Sequence, residues 1–485
     1  MKTVIRLEKS KNFWFLIFIS FAFFILRLPS LYEPYWYGDE GIYQAVGMLL
    51  RNGESLYSGA WENKPPLLLG LYALFNSDQF ILRGLSLIFG LVSLWFIFLT
   101  SKTLFTTSKY APAAATAAFA FIFGTRLIEG NIANAENFMI LPIMVSAYLI
   151  VSADLWKKLW RIKTYAAAGL ILSLAFLIKI VAIFDFFAFC AFLLIVKGDS
   201  LKEKIRNKLF PFFIGFILLP IATASYFLFT NNFKGFLDAL LLQNVTYVGF
   251  GNQFIIPQGF LYLKAILLAA FVGAVFILRN KLEKKVIFVI LWFAFSLFNA
   301  FFSQRPYTHY LITLLPSFAL LIGLVIEEKR FKLPLLGLLI AGFMIINYSF
   351  NLKFELTRHY TNLISFFTHR TSVLEYQAFF DKNTPRDYEL ARYIKINTAQ
   401  NDSVFIWGNN AQVYKLTNKT PITRYTVAYH ITNFPGGISE MEAAIIKKKP
   451  KLIVVMPNTT PFPLALYDYN ERMVIEDAII YERVL

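Results

Sequence analysis

The chain has 485 residues, of which 57% are hydrophobic and 16% charged, and its formal net charge is +17. Repeated apolar runs of roughly 17–25 residues exclude an ordinary soluble domain and indicate a helical membrane protein. In a soluble protein this charge would suggest a nucleic-acid partner. Here the lysines and arginines cluster in the links between apolar runs, which is the pattern that the positive-inside rule describes for membrane proteins. No nucleic-acid partner is therefore predicted. The single cysteine, Cys190, excludes an intramolecular disulfide.

The apolar runs predict about eleven membrane-spanning helices. They fall at 13–30, 79–100, 110–125, 137–153, 164–179, 181–197, 210–229, 260–278, 286–303, 309–326 and 332–350. Basic residues precede the first run, and no small-residue cleavage site follows it, which indicates an uncleaved signal anchor with a cytoplasmic N-terminus. The sequence therefore predicts a multi-pass protein of the cell (plasma or inner) membrane.

The links between the runs divide by charge, and the basic set is predicted to be cytoplasmic. The other set holds the first loop 31–78, the links 126–136, 230–259 and 304–308, and the turn near 180. An odd number of spans then places residues 351–485 outside the cytoplasm as well. The polar loop 230–259 is either a substrate lid or a simple connector.

The first loop is predicted to contain two short helices. Gly41–Arg51 has apolar residues at helical spacing and is typical of an amphipathic helix lying on the membrane surface. Pro65-Pro66 suits the first turn of a second helix, Leu67–Phe75, because proline lacks only an N–H that has no partner there.

The tail changes character and predicts an α/β domain. Helices are expected at Arg386–Ile396 and Glu440–Lys448, and strands at Ser403–Gly408 and Leu452–Pro457. This alternation indicates a largely parallel sheet. The predicted domains are thus a transmembrane catalytic domain, 1–350, and a soluble extracytoplasmic α/β domain, 351–485, in which no catalytic set is apparent.

Asp39 and Glu40 are adjacent carboxylates just beyond the first span. Ionisable groups near a membrane are costly and mark functional sites. Either acid is suited to act as a general base toward a hydroxyl, with its neighbour orienting it or binding a metal. The competing interpretation is a pair of helix-start acids that the helix dipole favours.

Lys64 is the strong cation at the Pro-Pro entry to the second short helix, and Glu62 is placed to pair with it. A cation here is suited to bind a lipid phosphate. Alternatively, Lys64 is an interfacial lysine whose stem lies along apolar surface.

The late outer link Arg305–Tyr310 gathers a fixed cation, an imidazole and two phenols. Arg305 is predicted to bind phosphate, and His309 to donate a hydrogen bond or bind a metal, with Tyr310 as a further contact. An aromatic belt with a headgroup-binding arginine is the alternative.

Two further charged residues, Glu136 and Lys179, begin or end spans at the predicted outer face. Glu136 is a candidate to join Asp39 around an acceptor or a metal, or is simply a helix-start acid. Lys179 is expected either to pair with Asp185 or to reach the phosphate.

These residues resemble those of the GT-C superfamily of membrane glycosyltransferases that use polyprenyl-phosphate sugars. Within it, the chain is similar to the protein O-mannosyltransferase and lipid A aminoarabinose transferase group. The similarity covers most of residues 30–350 and is carried by Asp39-Glu40 with Tyr43, by Asn63-Lys64-Pro65-Pro66-Leu67, by Arg83, and later by Glu136, Lys179, Arg305, His309-Tyr310 and Pro316.

The resemblance implies an outward cavity over the first loops and an inverting transfer. Asp39 matches the first-loop aspartate taken as the base, and Lys64 matches the lysine that meets the donor phosphate. Two positions depart from the pattern: Asn63 stands where the aminoarabinose branch has an acid, and Glu136 stands where an Asp is usual. A divalent metal is therefore left as an open cofactor prediction.

The predicted function is transfer of a sugar from a polyprenyl-phosphate donor to a hydroxyl acceptor on the outer side of the membrane. Its partners are the lipid-linked donor, the acceptor and the bilayer. A multi-span transporter or flippase of lipid-linked sugars is the alternative, although it would place acids and helix breaks at mid-membrane depth.

Overall fold

The computed structural model describes residues 11–153, 158–245, 261–303, 305–352, 356–457 and 459–484. The predicted cytoplasmic N-terminus before residue 11 lies outside the described residues. So does the greater part of the predicted lid or connector, from 246 to 259.

The structure is mostly helical. Its α-helices are Lys11–Arg27, Gly38–Arg51, Pro66–Leu74, Gln79–Leu104, Ala111–Gly124, Ala135–Ser152, Lys158–Ile178, Ile183–Ile195, Leu201–Lys204, Phe210–Phe229, Phe233–Leu237, Leu261–Leu278, Lys284–Ala300, Leu311–Glu327, Lys332–Phe350, Leu356–Phe367, Val373–Ala378, Thr384–Asn397, Gln412–Thr417, Ala428–Asn433 and Gly437–Lys448.

Each predicted span coincides with one of these helices. Within the described ranges, 8 helical segments are long and apolar enough to cross a membrane. The three remaining predicted spans are the shorter helices Ala111–Gly124, Ile183–Ile195 and Lys284–Ala300. The predicted fold class, a polytopic helical membrane protein, is confirmed.

Local sequence signals explain where several helices begin. Proline occupies the first turn of Pro66–Leu74 and of Ala111–Gly124, where its fixed φ is already helical. The Asn134 side chain accepts a hydrogen bond of 2.7 Å from the backbone N–H of Ala135 and caps the helix Ala135–Ser152. The predicted second helix of the first loop is confirmed within one residue at each end.

The chain forms two compact units. The membrane unit comprises Met1–Pro29, Leu85–Thr230 and Leu240–Leu356. The loop–tail unit comprises Ser30–Gly84, Asn231–Ala239 and Thr357–Leu485. The first loop thus belongs to the same unit as the tail. The predicted division near residue 350 did not include this grouping. Independent folding of 351–485 stays a prediction.

A four-stranded sheet lies in the loop–tail unit. Its strands are β1 Val404–Trp407, β2 Leu452–Val455, β3 Tyr469–Ile475 and β4 Ala478–Arg483, in the order β1-β2-β4-β3. β1 and β2 are parallel, whereas β4 is antiparallel to both of its neighbours. The prediction of a largely parallel sheet is therefore wrong. The sequence signal missed the final hairpin because most of β3 is exposed and carries no apolar alternation.

The helix Gly38–Arg51 exists, but it is not a half-exposed surface helix. Its residues from Glu40 to Leu49 are all buried, including Gln44 on the polar side. Gly41 packs so closely that an added Cβ would lie 2.6 Å from the backbone nitrogen of Gln412, in the tail. Tail residues therefore cover the face that the amphipathic pattern assigned to solvent.

Candidate functional site

Asp39 lies in the first turn of the helix Gly38–Arg51 and is partly exposed, whereas Glu40 is only 1% exposed. The helix N-terminus favours a negative charge in this turn. The helical geometry directs consecutive side chains about 100° apart, so the two adjacent acids face different surroundings. The accessible acid of the pair is Asp39.

Glu40 is held by Arg83, which belongs to the helix Gln79–Leu104. The guanidinium Nε lies 3.0 Å from Oε1 of Glu40, and Nη2 lies 2.6 Å from Oε2, a paired arrangement of two charge-assisted hydrogen bonds. Arg83 is fully buried. This geometry favours a positioning role for Glu40. No contact described here tests the catalytic role that the sequence suggested for Glu40, so that role stays a prediction.

Arg83 also binds a second carboxylate, Glu33, which the sequence analysis missed. Nη1 donates to Glu33 Oε2 over 2.9 Å and to the carbonyl oxygen of Ser30 over the same distance. Trp36 Nε1 donates to Glu33 Oε2 over 2.8 Å, and His359 Nε2 lies 3.6 Å from Oε1. One buried arginine therefore joins the end of the first span to the start of the next helix of the loop.

Lys64 is oriented by its chain neighbours. Its Nζ lies 3.3 Å from Glu62 Oε1 and donates to Asn63 Oδ1 over 2.7 Å, so the expected Glu62 pairing is present. The Lys64 side chain is 18% exposed, and its ammonium lies 6.0 Å from the ring centre of Tyr43. The ammonium group is thus fixed yet open to a ligand.

His430 is a tail residue that the sequence analysis missed, and it lies beside this lysine site. Its Nε2 is 3.8 Å from Glu62 Oε2, and its ring packs edge-on against Trp61 with 4.7 Å between ring centres. Burial and then the Lys64 charge lower the pKa of His430 to about 3, although Asp39 acts in the opposite direction. His430 is therefore neutral at physiological pH. No local motif marks it, because its position depends on tertiary packing.

Lys179 and Glu136 form an ion pair in the membrane unit. The expectation that Lys179 pairs with Asp185 is wrong: Asp185 Oδ1 instead accepts a hydrogen bond of 2.8 Å from Trp292 Nε1. Lys179 Nζ also lies 4.6 Å from the ring centre of Tyr310. Three predicted site residues, Glu136, Lys179 and Tyr310, are thus brought together.

His309 is buried in the same unit and contacts an acid that the sequence analysis did not select. Its Nδ1 lies 3.0 Å from Glu129 Oε2, and the hydroxyl of Thr308 donates to the same carboxylate. Arg305, at the start of this link, is partly buried. These contacts do not test the roles predicted for Arg305 and His309, which stay predictions.

The described residues contain no group of three or more His, Cys, Asp or Glu side chains that could hold a metal ion. The divalent metal therefore stays an untested prediction.

Comparison with known proteins gives one family match. Residues 65–227 of the 485 match the family described as "Dolichyl-phosphate-mannose-protein mannosyltransferase". The chain matches no curated protein sequence.

Solved structures resemble the chain over nearly its whole length. ArnT from Cupriavidus metallidurans in the apo state has a TM-score of 0.61 at 12% identity, covering 97% of this chain and 98% of that one. The same protein bound to undecaprenyl phosphate has a TM-score of 0.59 with the same identity and coverage. The apo oligosaccharyltransferase of Archaeoglobus fulgidus has a TM-score of 0.50 at 13% identity, covering 92% of this chain and 70% of that one.

These matches confirm the resemblance drawn from the sequence. The chain has the fold of the GT-C membrane glycosyltransferases, and the family match includes the Pro65-Pro66 entry, Glu136 and Lys179. The likeness to the solved structures establishes architecture.

Proposed function

We propose that the chain is an inverting glycosyltransferase that moves a sugar from a polyprenyl-phosphate donor to a hydroxyl acceptor at the outer side of the membrane. The observation that carries this proposal is a difference between two adjacent acids of the first loop. Glu40 accepts two hydrogen bonds from buried Arg83, whereas Asp39 is partly exposed. The family match and the GT-C fold support the reaction class. The undecaprenyl phosphate bound to ArnT supports a lipid phosphate as the leaving group.

Asp39 would act as the general base. It accepts the proton of the acceptor hydroxyl as that oxygen forms a bond to the anomeric carbon. The bond from the anomeric carbon to the phosphate oxygen breaks in the same step, and the lipid phosphate leaves with the bonding electron pair. Attack from the face opposite the leaving group inverts the anomeric centre, as in inverting glycoside chemistry.

Lys64 would stabilise the charge that grows on the departing phosphate. Its ammonium is already oriented by Glu62 and Asn63, so little reorganisation is needed as the charge develops. Arg305 and Lys179 are further cations proposed for donor binding. Lys179 would then have to exchange or share its contact with Glu136.

Replacing Lys64 by alanine should weaken binding of polyprenyl phosphate by roughly 10- to 100-fold, since a charge-assisted hydrogen bond contributes about 1.5–3 kcal/mol. Binding of the same polyprenol without phosphate should not change. The measurement is titration of both lipids against purified protein in detergent. Lys395→Ala is the matched control, because Lys395 is exposed on a helix of the same unit. An unchanged preference for the phosphate in Lys64→Ala would assign the phosphate to other cations.

A transfer assay separates the enzyme from the alternative flippase. Radiolabelled sugar supplied on polyprenyl phosphate should become covalently attached to a hydroxyl acceptor in the presence of the purified protein. A flippase would move the lipid-linked sugar across a sealed vesicle and leave its glycosyl bond intact. Movement without any bond transfer would reject the proposed function.

Thiol labelling tests the proposed orientation. In a Cys190→Ala background, cysteines replacing the exposed residues Ser55 and Ser439 should react with a membrane-impermeant reagent in intact cells. Ser200→Cys, in a basic link, should react only after the cells are lysed, because basic links stay in the cytoplasm. If Ser200→Cys alone were labelled in intact cells, the orientation of the protein would be the opposite of the one proposed.

A further inference from the structure

The helix Leu356–Phe367, which belongs to the loop–tail unit from Thr357 onward, has two sides. One side packs inward: His359 is 4% exposed, and the Phe366 ring stacks on Tyr376 with 4.2 Å between ring centres. The other side is exposed and mixes the hydroxyl residues Thr357 and Thr361 with apolar residues. Its apolar members are uncovered in the described structure, with Ile364 60% exposed and Phe367 54% exposed. Such large exposed apolar side chains require a partner.

The uncovered face continues onto residues that flank membrane spans. The Phe367 ring lies 5.2 Å from that of Tyr32, and Tyr32 lies 6.5 Å from Phe80, measured between ring centres. Tyr32 directly follows the first membrane-spanning segment, and Phe80 is the second residue of another. Tyr32 is 47% exposed and Phe80 is 54% exposed. We call Tyr32, Phe80, Ile364 and Phe367 the aromatic patch.

The charge around the patch suits a phospholipid surface. Arg370 is exposed just after the helix ends, and Arg358 is exposed within the helix. The acid of the stretch 356–380 is Glu375, and its carboxylate caps its own helix at Ser372. Apolar side chains with flanking cations are typical of segments that lie at the membrane–water interface, where cations meet anionic headgroups.

We propose that the aromatic patch docks on the lipid bilayer, so that the helix Leu356–Phe367 lies in the interface and tethers the tail to the membrane. The occupant follows from continuity with the two spans: side chains that directly adjoin the ends of membrane-spanning helices lie at headgroup depth, where tyrosine and other aromatic rings are favoured. This inference is independent of the proposed transfer reaction.

The test uses the full chain with Cys190→Ala and one introduced cysteine carrying an environment-sensitive fluorophore. The protein is placed at one copy per lipid nanodisc of phosphatidylcholine and phosphatidylglycerol. At Ile364→Cys, quenching by a doxyl-labelled lipid should be several times stronger than at Ser439→Cys. Aqueous iodide should quench in the opposite order. Ser439 is the matched control because it is exposed on another helix of the same unit, Gly437–Lys448, outside the aromatic patch.

Two results would overturn the proposal. Equal iodide quenching at both positions would place the patch in water. Protection of the label at Ile364→Cys from both quenchers would place it against protein instead of lipid. Phe367→Cys provides the same readouts should Ile364→Cys fail to fold, which its thermal unfolding midpoint would show.

Discussion

Asp39→Asn should reduce sugar transfer by about 10²–10⁴-fold, the range that general-base assistance supplies. Asparagine keeps the shape of the side chain and removes its basicity, so binding of the polyprenyl-phosphate donor should persist. The measurement is turnover at saturating donor, together with donor affinity in the same preparation. The partial exposure of Asp39, beside a fully engaged Glu40, is the structural reason for choosing this acid.

Glu54→Gln serves as the matched control, because Glu54 is an exposed acid of the same loop. It should turn over normally. Normal turnover in Asp39→Asn together with loss of activity in Glu136→Gln would transfer the role of base to Glu136.

Arg83→Met should destabilise the loop–tail unit by about 3–5 kcal/mol, since it leaves the carboxylates of Glu33 and Glu40 buried without their cation. The thermal unfolding midpoint of the purified protein should fall accordingly. Arg83→Lys should give an intermediate loss, because an ammonium keeps the charge but cannot form the paired contact with Glu40.

A double substitution makes this prediction specific. Adding Glu40→Gln to Arg83→Met removes one of the two buried carboxylates that have lost Arg83 and should recover part of the lost stability. Arg392→Met is the control, because its pair with Glu389 is exposed and exposed pairs contribute roughly 0–1 kcal/mol. A midpoint for Arg83→Met equal to that of Arg392→Met would contradict the structural role given to Arg83.

The spans were predictable because their signal is local. Hydrophobic length predicts a membrane helix, and proline or asparagine near its start marks where it begins, as Pro112 and Asn134 illustrate. The same local pattern predicted a helix from Gly41, with helix-start acids as one of two interpretations of Asp39 and Glu40; the helix begins at Gly38 and has both acids in its first turn. The different surroundings of the two acids could not be predicted locally, since the contacts of Glu40 lie 43 residues away at Arg83.

The missed features all depend on contacts distant in sequence. Glu33 gains significance through Arg83, 50 residues later, and His430 becomes relevant through Trp61 and Glu62 in the first loop. The wrong partner predicted for Lys179 has the same cause, since Asp185 was chosen because it is near Lys179 in sequence. The Asp185 carboxylate instead accepts a hydrogen bond from Trp292, which lies 107 residues after Asp185.

The composition of the loop–tail unit also sets an order of assembly. Ser30–Gly84 leaves the ribosome long before Thr357–Leu485, and synthesis at about 5–20 residues per second separates the two by tens of seconds. During that interval the helix Gly38–Arg51 lacks the tail residue Gln412 that packs on Gly41. The nascent chain therefore passes through a stage with its first loop inserted but uncovered. Completion of the tail closes a unit that began at the opposite end of the polypeptide, so late truncations should expose the first loop to proteolysis.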